Sequence, residues 1–354
     1  MRVLVTGGAG FIGSAIVDHL VEGGHRVTVL DNLSPSAHAV EPDYLNPDAH
    51  YVWADLADLD AVARAASGMD AVCHQAARVG LGVDFDDVSA YVADNDAGTA
   101  NLLRALYGQR WHGRLVLASS MVVYGEGGYT CGEHGRVRPG PRRKEDLDAA
   151  RFEPGCPICA AALSPVDLDE ETALDPRNVY AATKVHQEHL SAAFARETGS
   201  TLCSLRYHNV YGPRMPRDTS YAGVASIFRS AFASGRAPEV LEDGGQRRDF
   251  VHVSDVARAN LVALTADEAV TGPLNIASGE VHTVWEMATA LRSAFGPQTP
   301  APVITGGYRI GDVRHLTASP ARAQRCLGLR AAVSFDQGMS EFAAAALRAP
   351  LVER

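Results

Sequence analysis

The 354-residue chain has no apolar run near the ~20 residues that a membrane-crossing helix needs, so nothing in it reads as an integral membrane protein. It lacks an excess of basic charge. Lys and Arg number 32 against 42 Asp and Glu, a formal net charge of −10, which leaves no basic stripe for a nucleic acid. A few focused arginines can still meet an anionic small ligand. Cysteine is scarce, with 6 in the chain, too few for a disulfide framework at this length. The N-terminus lacks a targeting segment, because Met1-Arg2 leads straight into Val3-Leu4-Val5 and glycines follow. A cytoplasmic protein is the expectation. What is present is ordinary globular composition, 46 % hydrophobic and 21 % charged, and a length that predicts about two domains.

Short Val/Leu-rich runs alternate with helical ones through the first 120 residues. Strands are predicted at Val3–Val5, Val27–Leu30, Tyr51–Trp53, Ala71–His74 and Leu115–Ala118, and helices at Ala15–Glu22, Leu59–Ala66 and Ala97–Leu106. Near-continuous apolar strands between helices imply βαβ units and a parallel sheet covered on both faces. The pattern breaks over 126–176, a stretch rich in proline and glycine, then resumes with a helix at Val179–Thr198 and a strand at Leu202–Arg206. Further helices are read at Ala222–Ala233 and Val284–Phe295. Cys73, Cys203 and Cys326 fall in apolar runs and read as small core residues.

Thr6-Gly7-Gly8-Ala9-Gly10-Phe11-Ile12-Gly13 lies between the first strand and its helix. Glycines at this spacing permit a tight turn and a side-chain-free approach of the backbone to a pyrophosphate at a helix N-terminus. Strand before and helix after are the context that makes the motif a dinucleotide site. Gly7, Gly10, Phe11, Ile12 and Gly13 are therefore the expected phosphate-binding turn. Asp31, about 20 residues on, is placed to accept from the adenosine ribose hydroxyls. Asn32 and the serines after it offer no cation for a 2′-phosphate, which favours NAD over NADP. Asp55-Leu56 is either an adenine contact or an ordinary helix N-cap.

Tyr180-Ala181-Ala182-Thr183-Lys184 sets a tyrosine and a lysine four residues apart, on one helix face. Together with the glycine loop and the strand ending in Ser119-Ser120-Met121-Val122-Val123-Tyr124-Gly125, the sequence resembles the extended short-chain dehydrogenase/reductases, the NAD-dependent epimerase/dehydratases of nucleotide sugars. Asn209-Val210-Tyr211-Gly212-Pro213-Arg214 and Arg248-Asp249-Phe250-Val251-His252 carry the same resemblance. The implied fold class is α/β, a Rossmann-type doubly wound parallel sheet with a smaller α/β substrate lobe. The expected dinucleotide domain covers 1–125 and 177–207, with 246–275 returning to it. The lobe covers 208–245 and 276–354, and 126–176 is an insertion.

The resemblance implies roles. Tyr180 would act as base on a sugar hydroxyl, its pKa lowered by Lys184 and the nicotinamide. Lys184 would also hold the nicotinamide ribose, and Ser120 would bond the reacting hydroxyl. Gln75, Ala76, Ala77 and Asn95 would join the cofactor site. Ser120, Met121, His208, Asn209, Arg248, Arg309 and Arg314 would meet a nucleotide-sugar substrate. Dehydratases of this family follow the active-site Ser/Thr with Asp-Glu, whereas Met121 and Val122 can move no proton. Epimerisation at C4 is thus favoured, with a UDP-hexose or UDP-hexuronate 4-epimerase and a non-catalytic NAD-binding regulator as alternatives. Relatives commonly form homodimers.

Cys131 and His134 form a C-x2-H pair, and Cys156 and Cys159 a C-x2-C pair, separated by 21 residues. Three thiolates and an imidazole make a closed tetrahedral set for a structural Zn2+. The metal would explain how an insertion without an apolar core of its own folds. The insertion and the Tyr180 helix resemble those of a subgroup acting on dTDP-L-rhamnose and dTDP-6-deoxy-L-talose.

Overall fold

The computed structural model describes residues 1–80, 85–217 and 223–348. From the N-terminus run β1 (Arg2–Thr6), α1 (Phe11–Glu22), β2 (Arg26–Asp31), β3 (His50–Trp53), α2 (Leu59–Ala66) and β4 (Ala71–His74). Next come α3 (Val88–Tyr91), a π-helical stretch at Val92–Ala97, α4 (Gly98–Gly108) and β5 (Arg114–Ser120). The central segment holds β6 (Gly128–Cys131), β7 (Gly135–Val137), α5 (Lys144–Asp148), β8 (Ser164–Val166), α6 (Val179–Thr198) and β9 (Thr201–Tyr207). It continues through β10 (Asn209–Tyr211), α7 (Val224–Ala233), β11 (Glu239–Val240), β12 (Arg247–His252), α8 (Val253–Thr265) and β13 (Gly272–Ile276). The last elements are β14 (Val281–Thr283), α9 (Val284–Phe295), β15 (Val303–Ile304), β16 (His315–Leu316), α10 (Ala321–Leu327) and α11 (Phe335–Ala344).

Seven strands pair in parallel in the order β13-β9-β5-β4-β1-β2-β3. Outside the edge strand β3, where Trp53 is exposed, their Val and Leu side chains are buried on both faces, as the unbroken Val/Leu runs predict. One face packs Val3, Val5, Ile16, Leu20 and Val256 into a core, and the other packs Leu4, Val62, Leu102, Leu115 and Phe194. The strand order reverses between β1 and β4, and a crevice opens there at the C-terminal strand ends.

The lobe is built on β10-β12-β14 with β16 paired to β12. Its core of Tyr211, Phe228, Phe250, Met287 and Phe342 lies among α7, α9 and α11. β12, grouped with the dinucleotide domain in the sequence, sits in this small sheet, while α8 and β13 go on to the large one. α1 starts at Phe11 rather than Ala15, because the glycine turn feeds directly into it with Gly10 as N-cap. α7 starts at Val224; Ala222, the expected first residue, lies outside the described residues. Cys326 is exposed on α10, not in the core.

The insertion is more regular than its composition implies. β7, β6 and β8 form an antiparallel sheet, and Tyr129, Cys131, Cys156 and Leu163 make a small buried cluster beside it. The strands are three or four residues long, too short for a period-2 pattern to stand out in sequence.

Candidate active site and metal centre

The glycine turn meets β4 at the crevice. Gly7 takes φ +69°, and a Cβ there would stand 2.7 Å from the Ala76 backbone nitrogen, so the position accepts only glycine. A Cβ on Gly13 would stand 2.1 Å from the Gly7 carbonyl oxygen, and its lack lets α1 begin flush against the strand. Asp31, at the end of β2, accepts from the Ala9 amide at 3.0 Å and the Leu33 amide at 2.9 Å. Each oxygen takes one donor and keeps capacity for a ribose hydroxyl. Asp55 accepts from Asn32 Nδ2 at 2.6 Å. The N-cap of α2 is Asp58, whose carboxylate accepts from the Ala61 amide at 3.0 Å, so the capping alternative for Asp55 falls to its neighbour.

A cavity of about 300 Å³ opens over this turn. Every residue expected at the cofactor lines it except Asn95, and Tyr180 and Lys184 line it too. Asn95 is fully buried behind the wall, accepting from the Arg78 amide at 2.7 Å and donating to Thr183 Oγ1 at 2.9 Å. It ties the cavity wall to α6.

α6 begins at Asn178, whose side chain accepts from the Ala181 amide at 2.8 Å. That cap puts Tyr180 in the first turn and Lys184 one turn later. Lys184 Nζ lies 5.8 Å from the Tyr180 ring centre and donates to the Ala118 carbonyl at 2.9 Å. Burial pushes the Lys184 ammonium down to about 7, against the opposing charges of Glu188 and Asp96. Ser120 ends β5, its Oγ accepts from the Val122 amide at 3.3 Å, and its hydroxyl bonds the Tyr180 phenol. Burial raises that phenol, and the Ser120 bond opposes the rise. Lys184, whose own charge is suppressed by burial, adds no lowering to this balance. Behind the pair, Ser119 Oγ donates to Glu188 at 2.5 Å, and Arg206 clamps the same carboxylate at 2.8 and 3.0 Å.

In the lobe, His208 is 4 % exposed, and neither ring nitrogen has a partner among the described residues. Burial, then the charge of Arg248, holds its pKa down at about 3. Asn209 Oδ1 is likewise buried and unpartnered among the described residues. Arg248 donates to the carbonyls of Arg247 at 2.8 Å, Arg314 at 3.0 Å and Val313 at 2.7 Å. Its desolvated guanidinium is held by neutral oxygens, with no carboxylate in ion-pair contact among the described residues. Such a guanidinium could take an anion. Arg309 is exposed on the loop before β16. Arg314 departs from its expected phosphate role. It is 2 % exposed and spends its guanidinium on Glu153 at 2.6 Å, Glu242 at 2.8 Å and Asp243 at 2.7 Å.

In the insertion, the donor atoms of Cys131, His134, Cys156 and Cys159 all lie within 4.8 Å of one another. Cys131 Sγ stands 3.6 Å from His134 Nδ1 and 3.6 Å from Cys159 Sγ, and Cys156 Sγ stands 3.8 Å from His134 Nδ1. A tetrahedron with zinc–sulfur ~2.3 Å and zinc–nitrogen ~2.0 Å has edges of about 3.5–3.8 Å. A disulfide needs sulfurs at about 2.05 Å, so this is no crosslink, and the four donors could hold one metal ion. Backbone N–H groups of Glu133 and His134 point at Cys131 Sγ, and those of Ile158 and Cys159 at Cys156 Sγ.

A family model described as the NAD dependent epimerase/dehydratase family matches residues 3–153 and 159–277. The chain belongs to that family. A dTDP-L-rhamnose 4-epimerase of Burkholderia thailandensis is 34 % identical over 96 % of this chain and 93 % of its own. A UDP-glucose 4-epimerase of Corynebacterium glutamicum is 28 % identical over 93 % of this chain and 90 % of its own. Among solved structures, the UDP-glucose 4-epimerase of Thermus thermophilus in complex with NAD matches with a TM-score of 0.78 and 31 % identity, covering 97 % and 98 % of the two chains.

As a member of the epimerase/dehydratase family, the chain carries cavity residues that no motif announced. His38, Arg217 and Arg348 line the cavity. Arg217 Nε and Arg348 Nε and Nη1 are buried without partners among the described residues. The charge of Arg348 acts on His38 and Tyr44, which also feel Asp31. Tyr44 in turn donates to the Ala9 carbonyl of the glycine turn at 2.9 Å. Arg348 is held there by its backbone amide, which donates to the Met215 carbonyl at 3.1 Å. Only the folded chain brings these cations to Asp31.

Proposed function

We propose that the chain is an NAD-dependent nucleotide-sugar 4-epimerase. The reading rests on one cavity that joins the glycine turn and Asp31 to Tyr180 and Lys184, with Ser120 bonded to the phenol. The residues fit the dinucleotide, because the glycine turn leaves backbone bare, Asp31 keeps acceptor capacity and buried guanidinium groups face the space. NAD bound there would supply the hydride acceptor and donor for C4 of the sugar, the hydride returning to the other face of the ring. The Tyr180 oxygen takes the C4 hydroxyl proton, and Ser120 Oγ holds that hydroxyl in line with it. Lys184 Nζ carries an adjustable charge beside the phenol. Arg248 takes the substrate pyrophosphate, with Asn209 and Arg309 beside it. Met121 and Val122 stand where a dehydratase needs an acid and a base, so the chemistry closes on itself without loss of water.

dTDP-L-rhamnose and dTDP-6-deoxy-L-talose are the best substrate pair, supported by the Cys/His insertion and by the Burkholderia relative. A UDP-hexose or UDP-hexuronate 4-epimerase is the second reading, supported by the UDP-glucose 4-epimerases. Incubating the protein with dTDP- and UDP-sugars and reading proton NMR should give the C4 epimer of one of them. A 4-keto-6-deoxy product would overturn the epimerase assignment. A non-catalytic NAD-binding regulator has no use for the Ser120–Tyr180 bond, and NAD binding with no product from any sugar would favour it. The four-ligand cluster of Cys131, His134, Cys156 and Cys159 binds a structural zinc in this reading. Elemental analysis of protein purified without chelator should find about one zinc per chain.

A further inference from the structure

The insertion does more than fold on itself: it grips the segment of the lobe that carries Arg309 and whose carbonyls hold Arg248. Six contacts reach residues 308–315. Tyr308 donates to Asp148 at 2.5 Å. Arg142 Nη2 donates to the Asp312 carbonyl at 2.6 Å. The Arg314 amide donates to Glu126 at 3.0 Å, and Glu153 takes the Arg314 guanidinium at 2.6 Å and His315 Nε2 at 2.8 Å. The His315 amide donates to the Tyr129 hydroxyl at 3.3 Å. At the root of the insertion, Gly127 takes φ +96°, and a Cβ there would lie 2.1 Å from the His315 carbonyl oxygen. Backbone packs on backbone at this point.

These contacts are continuous with the metal cluster on one side and with Arg248 on the other. Tyr129 is two residues before Cys131 on β6, and Glu153 is three residues before Cys156. The gripped segment supplies the Val313 and Arg314 carbonyls that hold the Arg248 guanidinium at 2.7 and 3.0 Å. It also carries Arg309. Arg142 extends the grip, pairing with the buried Glu242 at 2.8 Å, the carboxylate that meets Arg314 at 2.8 Å.

We infer that the zinc-clamped insertion is the positioning element of the pyrophosphate subsite, with Glu126, Tyr129 and Glu153 as its positioning residues. The inference rests on the zinc and nucleotide-sugar readings above. The clamp fixes β6 and the Glu153 turn, these fix residues 312–315, and those carbonyls aim Arg248. No part of this chain of contacts runs through the glycine turn or Tyr180. Loss of the metal therefore loosens grip on a nucleoside diphosphate and leaves the dinucleotide end as it was.

The test removes zinc from the full chain with a mercurial thiol reagent in the presence of a chromogenic chelator, then reverses the thiol block with dithiothreitol. Binding of dTDP and of UDP is measured by calorimetry before and after, alongside bound NAD and far-ultraviolet circular dichroism. The expected result is about a tenfold weaker nucleotide affinity, or about 1.4 kcal/mol, with NAD content unchanged and affinity restored by added zinc. Glu153→Gln, which keeps the metal and the chain shape, should weaken the same nucleotide and raise the KM of the sugar substrate with kcat within about threefold. Equal nucleotide affinity with and without zinc, and in Glu153→Gln, would overturn the coupling while leaving the zinc site standing. Purified protein without zinc would overturn the metal reading, and intact protein that binds neither nucleotide would overturn the substrate reading; the inference falls with either.

Discussion

At the scale of single residues, the site is a balance of buried groups whose charges are adjustable. Burial raises the Tyr180 phenol and so favours its neutral form, while Lys184 is lowered to about 7, where its charge can change near neutral pH. Tyr180→Phe removes the proton acceptor and leaves the ring, and it should abolish turnover, by at least about 10²-fold, with bound NAD unchanged by absorbance. A variant that still turns over would move the base elsewhere. His208 offers a second test through stability. Its folded pKa of about 3 lies below the ordinary histidine value of 6.5. Between those values the unfolded chain binds the extra proton, so stability falls as pH drops from 6.5 toward 3. The slope is about 1.4 kcal/mol per pH unit for one histidine. His74, lowered to about 3 by burial, adds the same sign. His208→Phe fills the space without titrating, and urea midpoints between pH 4 and 6.5 should then fall less steeply than in the parent protein. Parallel slopes would show that His208 is not the group responsible.

At the scale of elements, α6 shows how a local cap reaches the chemistry. Asn178 caps the helix through the Ala181 amide, and Tyr180 sits between them. Asn178→Ala should cost about 1 kcal/mol by thermal unfolding and lower kcat more than it changes NAD content. Unaltered stability and kcat would mean that the first turn is held from elsewhere. α6, β1, β4, β5 and the glycine turn were legible in sequence because their signals are local: apolar runs, helical spacing and glycine between strand and helix. The Tyr180–Lys184 spacing and the two Cys/His pairs are local as well. The sheet of the insertion was not legible, since β6, β7 and β8 are short and held by one another and by residues 308–315. Nor was the place of β12. Its apolar half reads like any buried strand, and only its pairing with β10, β14 and β16 assigns it to the lobe. Arg314 misled for the same reason, because nothing in its own neighbourhood announces Glu153, Glu242 and Asp243.

At the scale of the whole molecule, a chain of net charge −10 must bind two pyrophosphate-bearing ligands. It does so by pairing many cations with carboxylates and leaving a few desolvated ones against the cavities. Arg248 is one. Arg217 and Arg348 are two more, at the dinucleotide end, with buried nitrogens lacking partners among the described residues. Within the sequence, Asp31 followed by Asn32 and serines favours NAD through neighbours along the chain alone. The fold adds Arg348 beside Tyr44 and the glycine turn. A cation there attracts the phosphates of a dinucleotide, whereas the Asp31 carboxylate repels a 2′-phosphate, and the two effects are separable by mutation. Arg348→Ala should weaken NAD and NADP alike, by about tenfold for one lost charge-assisted bond. Asp31→Ala should instead change the NAD/NADP affinity ratio in favour of NADP. Equilibrium dialysis of both cofactors against both variants reads this directly. An Arg348→Ala protein that loses NADP selectively would make the arginine a 2′-phosphate partner, and one that binds both cofactors as the parent does would remove it from the site.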